Sequence, residues 1–315
     1  MRAKLLITGG LGYIGSFTAR SFLKNKSIKA LSIDNLSRGN NFANKFSNNY
    51  KLDISDNRVR KIIIKKKINT VLHLAAYTCV RESEKKKQKY FKNNFKKQIK
   101  FIDNLKNTSV KYFIFSSSLS IFEKNKFKKN PSPYSKYKLK IEEYLKKVSS
   151  NDFKVLILRY SNVIGSDQNG EIGEKNNYIS RIVPSFYKNL LSKKKNTLFF
   201  DYKKKIFPSR NYIHVLDVAN VNLKIILNYK KIKKKFLVLN LYNASFYSNF
   251  EVLKTLSKIL NIKYIFKLKQ ISKLESMKPA YKAGKNTFKY LNYKPKFKNL
   301  NQMLKSNIKW FKKIY

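Results

Sequence analysis

A tyrosine and a lysine four residues apart, in Tyr134-Ser135-Lys136-Tyr137-Lys138, follow a serine triplet, Ser116-Ser117-Ser118. On a helix that spacing puts both side chains on one face. A phenol with a cation beside it exchanges a proton near neutral pH, because the cation favours the phenolate and lowers a pKa of about 10. A serine hydroxyl at a strand end can share the hydrogen bond to the reacting oxygen, which makes Ser118 the third member of a candidate catalytic group. The Tyr-x-x-x-Lys spacing is weak alone. With 21 tyrosines and lysine at roughly a fifth of positions, about four matches arise by accident. What gives it force is its position after the serine triplet.

A second cluster stands at the start. Thr8-Gly9-Gly10-Leu11-Gly12-Tyr13-Ile14-Gly15 holds four of only 9 glycines. It joins an apolar run, residues 4–8, to an amphipathic stretch, residues 13–24. Glycines between a strand and a helix expose backbone N–H groups at the helix start, where a pyrophosphate binds without side-chain obstruction. Asp34 closes the next apolar run. A carboxylate there accepts hydrogen bonds from an adenosine ribose and repels a 2′-phosphate, so NAD is the expected cofactor. An oxidised nicotinamide beside Tyr134 would act with Lys138 in lowering its pKa.

These groups must be carried by a regular scaffold. Short apolar runs alternate with longer amphipathic stretches through the first half, the pattern of βαβ units. Strands are expected at 4–8, 30–34, just before Asp53, and at 70–75, 112–116 and 154–160. Helices are expected at 13–24, near 56–66 and at 134–148, with one long helix filling much of 81–105. The fold class is therefore α/β: a doubly wound parallel Rossmann sheet with a smaller C-terminal α/β substrate domain. Residues 1–161 would form the NAD-binding domain, completed by a later segment near 210–245, and 162–315 would mainly bind substrate.

The 315 residues are 43% hydrophobic, ample for a packed core. The opening residues reach the glycine turn too soon for a secretory signal, and no apolar run approaches the roughly 20 residues of a bilayer span. A cytoplasmic location without membrane attachment is expected. One cysteine, Cys79, and two histidines, His73 and His214, exclude a disulfide framework and disfavour a metal site, so no metal is expected. The formal charge of +53 points towards nucleic acid, but the lysines are spread through every segment. Weak attraction to polyanions is expected, with no specific nucleic-acid partner.

The ordered motifs carry a resemblance. They are the glycine turn; Ile33-Asp34-Asn35-Leu36-Ser37; Leu52-Asp53-Ile54; His73-Leu74-Ala75-Ala76; Glu82-Ser83; Asn93-Asn94; Phe113 to Ser118; Ser132-Pro133-Tyr134; Leu158-Arg159-Tyr160-Ser161-Asn162; Gly170-Glu171-Ile172-Gly173-Glu174; and Tyr212-Ile213-His214-Val215. Over essentially its whole length the chain resembles the extended short-chain dehydrogenase/reductases, specifically their UDP-glucose 4-epimerase branch. The resemblance implies interconversion of UDP-glucose and UDP-galactose by transient oxidation at C4, with Tyr134 as acid and base, Lys138 and Ser118 as its companions and NAD as cofactor. It also implies cofactor contacts from Gly9, Gly12, Tyr13, Ile14, Gly15, Asp34, Asn35, Asp53, Ile54, Leu74, Ala75, Ala76, Asn94, Tyr134, Lys138, Tyr160 and Ser161. A UDP-hexose would meet Ser118, Ser120, Tyr134, Asn162, Asn177, Arg210 and Tyr281, the last excluding N-acetylated sugars by its volume. A homodimer is implied, through the long helix after Arg81 and the helix from Tyr134.

The chain departs from the family pattern at Ser161, at Asn211, around Lys273 to Met277, and at Tyr242 to Phe246. Two alternatives stay open at this point. One is a sibling nucleotide-sugar enzyme, such as a uronate epimerase, decarboxylase or dehydratase; Ser118-Leu119-Ser120 replaces the Asp-Glu that dehydration uses. The other is a basic nucleic-acid-binding protein on a relic nucleotide fold.

Overall fold

The computed structural model describes residues 3–23, 25–39, 48–123, 126–174, 181–271 and 285–315. Asn177 and Tyr281, both expected at the substrate, lie outside the described residues, as does the segment from Lys273 to Met277.

The first half runs β1 (Ala3–Thr8), α1 (Tyr13–Leu23), β2 (Ile28–Asp34), β3 (Asn49–Lys51), α2 (Asn57–Lys65), β4 (Thr70–His73), α3 (Val80–Lys85), α4 (Lys87–Phe91), α5 (Lys97–Asp103) and β5 (Tyr112–Ser118). A small hairpin, β6 (Phe122–Glu123) and β7 (Lys126–Phe127), precedes α6 (Pro133–Val148), β8 (Lys154–Tyr160) and β9 (Asn162–Ile164). Then come α7 (Ile182–Leu191), β10 (Asn196–Phe200), β11 (Ser209–His214), α8 (Val215–Asn228), β12 (Phe236–Leu241) and β13 (Phe246–Ser248). The chain finishes with α9 (Asn249–Leu260), β14 (Phe266–Gln270), β15 (Lys285–Asn286), α10 (Thr287–Tyr290), α11 (Leu300–Lys305) and α12 (Ile308–Ile314).

Eight strands form one parallel sheet in the order β15-β12-β8-β5-β4-β1-β2-β3. The fold is the expected doubly wound Rossmann sheet with smaller sheets and helices after it. Alternation along each strand sends successive side chains to opposite faces. On one face Leu5, Ile7, Leu72, Ile114 and Leu158 pack with Phe17 and Phe22 of α1 and with Val218, Val221 and Ile225 of α8. On the other, Leu6, Val71, Phe113, Phe115 and Ile157 pack with Val59 and Ile63 of α2, Phe101 and Ile102 of α5, and Ile141 and Leu145 of α6. Both faces are covered, which is why the central strands read as nearly unbroken apolar runs. A separate core joins α7, α9, α11 and α12 around Tyr187, Leu253, Met303 and Trp310.

The strand order reverses between β1 and β4, and a crevice opens there at the carboxyl ends of the strands. The glycine turn, the end of β5 and the start of α6 all face it. No helix among the described residues is long and apolar enough to cross a membrane.

One expectation is corrected. The long helix of 81–105 is three α-helices, with the chain breaking at Lys86 (φ −121°, ψ 53°) and a π-helical turn at Lys92–Lys96 between α4 and α5. The wide turn lets Asn94 and Gln98 both reach the loop after β4, where Asn94 bonds the Tyr77 backbone and Gln98 donates to the Ala75 carbonyl. A 3.6-residue pattern carries no sign of such a turn.

Both histidines are structural. His73 is 1% exposed between the Phe101, Phe113 and Phe115 rings, and its Nδ1 shares a 2.7 Å hydrogen bond with Thr8. His214 stacks on Phe297 at 3.5 Å and is bonded to Ser306. Burial drives each pKa down to about 3. Below about pH 6.5 the unfolded chain therefore takes up protons that the folded protein refuses. Stability should be full above about pH 6.5 and fall as pH drops towards 3, by about 1.4 kcal/mol per pH unit for each histidine. Urea unfolding at several pH values measures this. A pH-independent stability between 6.5 and 4 in the wild type, or the same slope in a His73→Asn, His214→Asn variant, would remove the explanation.

Candidate functional site

The first wall of the crevice is the glycine turn. The Gly9 and Gly10 amides bond the Ile33 carbonyl, and Gly12 bonds back to the Gly9 carbonyl at 3.1 Å. Gly9 has φ +71°, and a Cβ on it would lie 2.9 Å from the Ala75 backbone. A Cβ on Gly15 would overlap the Gly9 carbonyl oxygen. The turn can thus lie flat on the helix start only with glycine at these positions. Gly15→Ala should force the turn off α1. We expect loss of bound NAD from the purified protein and a thermal midpoint lower by several degrees, of order 1–3 kcal/mol; full NAD occupancy would show that the close approach does not matter.

Asp34 sits at the end of β2, 8% exposed, and its carboxylate accepts from the Leu11 and Leu36 backbone amides. Burial raises its pKa, and those backbone bonds oppose the rise. It lines a recess with Gly9, Gly12, Asn35, Asp53, Ile54, Leu74, Ala75 and Ala76. Asp53 is held by Lys97 at 2.6 Å, Ser55 and Asn35; burial opposes, but these bonds win and lower its pKa to about 2. Asn94 is placed differently from the expectation of a cofactor-lining residue. It is 1% exposed, and its amide is taken by the Tyr77 backbone, so it shapes the loop while Asn93 lines the recess.

The second wall is the end of β5 against α6. Ser132 caps α6 and Pro133 opens it, so Tyr134 sits in the first turn of the helix. The Ser118 hydroxyl faces the Tyr134 phenol and favours its charged form, and Lys138 donates to the Ser116 carbonyl at 2.5 Å. Tyr134 is 7% exposed and Lys138 3%. The Lys138 ammonium also lies 4.6 Å from the centre of the Phe115 ring. Burial lowers the Lys138 pKa to about 7, with Glu142 opposing.

In the protein by itself the Tyr134 pKa is raised; the expected lowering joins Lys138 to an oxidised nicotinamide. Burial is the largest cause of the rise, and Ser118 and the Arg181 charge only partly offset it.

Gly9, Gly12, Tyr13, Ile14, Gly15, Ser118, Ser120, Tyr134, Lys138, Tyr160, Ser161 and Asn162 share one cavity of about 340 Å³. It continues into a cleft of about 260 Å³ that adds Arg210, Asn211 and Tyr212 from β11. Within this space Tyr13 donates to the Gly165 carbonyl at 2.5 Å, tying α1 to the segment after β9, and the Tyr160 hydroxyl donates to Asn222. Asn162 donates to the Asn211 carbonyl, and Ser120 is bonded to Ser135. The buried Ser161 Oγ has no hydrogen-bond partner among the described residues. The flat glycine cradle and this orphaned hydroxyl fit a dinucleotide lying from Asp34 to Tyr134, since a buried polar atom without a partner costs about 1–3 kcal/mol unless something satisfies it.

Sequence reasoning missed Arg181, and took Glu174 only as the end of the Gly170 to Glu174 motif. They form an ion pair at 2.8 Å and line both the cavity and the cleft. Arg181 is the N-cap residue of α7 and makes no side-chain cap bond. A cation where the helix dipole favours an anion was the available signal.

The comparisons with known proteins agree with this geometry. The sequence profile of the NAD dependent epimerase/dehydratase family matches residues 5–241. A UDP-glucose 4-epimerase from Lactobacillus helveticus is 32% identical across 98% of this chain and 97% of its own length. Among solved structures, UDP-glucose 4-epimerase from Stenotrophomonas maltophila, with bound NAD and formylated UDP-arabinopyranose, shares the fold at a TM-score of 0.87, covering 99% of each chain at 22% identity. The UDP-Glc/GlcNAc 4-epimerase of Campylobacter jejuni matches at 0.81, again over 99% of each chain, with 27% identity. A parallel sheet with a glycine cradle at its switch point, a Ser118, Tyr134 and Lys138 cluster beside it, and a family profile spanning most of the length agree, and the chain belongs to the NAD dependent epimerase/dehydratase family.

Proposed function

We propose that the protein is an NAD-dependent UDP-glucose 4-epimerase, interconverting UDP-glucose and UDP-galactose. The observation that carries the reading is the meeting of Ser118, Tyr134 and Lys138 in a cavity that runs from the glycine cradle to Arg210. NAD, held by the glycine turn, Asp34 and the 74–76 segment, supplies hydride acceptance and return at C4 of the sugar, so it is not consumed. The chain's own residues handle the proton. Tyr134 Oη takes it from the 4-hydroxyl, with Ser118 Oγ on the same oxygen, and returns it after the 4-keto sugar has turned over. Lys138 supports the phenolate and orients the cofactor ribose. Asn162 and Arg210 hold the UDP moiety, a guanidinium suiting a diphosphate.

The cofactor lobe in this reading is residues 1–161 completed near 210–245, with 162–315 mainly on the substrate side. A homodimer is part of the proposal. Phe91, Phe95 and Tyr137 stack across the α4 to α6 face at 5.8 and 5.9 Å, an aromatic surface suited to a helix-bundle interface. Sedimentation that returned a monomer would remove this part.

The decisive test is to incubate the purified protein with UDP-galactose and no electron acceptor, and to separate products by chromatography. Conversion to UDP-glucose at a fixed equilibrium ratio is expected. A dehydrated or decarboxylated sugar from the corresponding substrate, with no epimerisation, would assign a sibling activity instead.

A further inference from the structure

Three consecutive residues at the end of β5 are each tied to α6, at successive turns. Ser118 meets Tyr134, the Ser116 carbonyl meets Lys138, and the Ser117 hydroxyl donates to Glu142. The spacing of four puts Tyr134, Lys138 and Glu142 on one helical face. The first two ties belong to the proposed site. The third is unused by it, yet it is the most heavily bonded. Glu142 is 4% exposed, and Arg159 of β8 donates to it through Nε at 3.0 and 3.2 Å and through Nη2 at 2.5 Å. The Phe122 ring lies 4.9 Å from the Arg159 guanidinium and closes the far side.

We infer that Glu142 is a positioning residue for the proposed reaction, locking β5 to α6 and supplying the negative charge that the buried Lys138 ammonium needs. The inference rests on the assignment of Tyr134 and Lys138 given above. A carboxylate one turn away opposes the desolvation of Lys138. The other groups facing Lys138 cannot replace it. Tyr134 on the same helix is a neutral phenol in the resting site, and the Ser116 carbonyl and Phe115 ring on β5 carry no charge. His73 on β4 is held neutral by burial. Arg159 on β8 brings a positive charge that Glu142 neutralises. With glutamine at 142, Arg159 remains as an uncompensated cation beside a second buried cation. Ammonium form is then lost at lower pH. Since the site works with Lys138 protonated, activity is present below its pKa and falls as pH rises through it, so this limb moves to lower pH.

A buried ion pair that only braces the fold would lower stability without moving a titration. The test uses the purified protein and the variants E142Q, E142D and E142Q/R159M. Turnover of UDP-galactose is measured from about pH 5.5 to 9.5, and Lys138 ionisation is followed by NMR of ¹³Cε-labelled lysine, assigned through Lys138→Met. For E142Q we expect both the basic limb and the Lys138 midpoint to fall by about one unit or more, a roughly tenfold loss of turnover above neutral pH. E142D should restore most of it, and the double variant should shift less than the single one but still downward. A folded E142Q with both midpoints unmoved overturns the inference. If E142Q does not fold, an unmoved Lys138 midpoint in the double variant does so. A wild type without turnover on UDP-galactose defeats the functional reading alone, because the NMR titration still decides the role of Glu142.

Discussion

Tyr134→Phe is expected to cut turnover of UDP-galactose by about 10²- to 10⁴-fold while bound NAD stays with the protein. The ring keeps its buried place at the start of α6, so the cavity keeps its shape, and only the proton acceptor is removed. Ser118 cannot take over. Its hydroxyl accepts from the Ser120 amide at 3.1 Å, and a serine hydroxyl is a far weaker acid than a phenol. The measurement is a steady-state assay beside the absorbance ratio that reports NAD occupancy. Turnover near wild type would exclude Tyr134 as the acid and base. A variant that lost NAD as well would place the phenol in cofactor binding rather than in proton transfer.

Lys138→Met should be nearly as damaging to rate, by about 10²-fold or more, and should also weaken NAD retention. Its effect on stability should have the opposite sign to the usual core mutation. Lys138 is almost wholly buried, and burial pushes its pKa to about 7, so the folded protein spends free energy to hold the ammonium. Methionine is unbranched, one atom shorter than lysine, and carries no charge. The Ser116 carbonyl loses its donor, worth about 1 kcal/mol, while the desolvation of a cation is relieved. We expect a thermal midpoint at or above wild type with activity largely gone, the pattern of a site that keeps an unfavourable charge for function. A variant that unfolds at lower temperature yet turns over normally would make Lys138 a structural residue.

Local signals were enough for the parts of this protein whose physics is local. The glycine turn was legible because only glycine lets the backbone of Gly9 approach Ala75 and lets α1 start against the turn. The central strands were legible because strands covered on both faces must be apolar throughout, as in Leu5, Leu6 and Ile7. Tyr134 and Lys138 stood out through helical spacing after a strand-end serine run. Belonging to a family of known architecture followed from the order of such motifs along the chain.

What the tertiary structure decided was set by neighbours distant in sequence. The π-helical turn at Lys92–Lys96 arises where Asn94 and Gln98 must both satisfy the loop after β4, a demand invisible in the periodicity of residues 81–105. Arg181 and Glu174 line the same cavity as Tyr134, and no spacing between residues 134 and 181 announces that. The Tyr134 pKa rises because desolvation, a property of the assembled interior, outweighs the opposing influence of Ser118 and of the Arg181 charge. Sequence alone thus determined which backbone conformations and which reactive groups were present. Their electrostatic state depended on how much water the fold removed and on which charges it brought near, terms that exist only once the chain has packed.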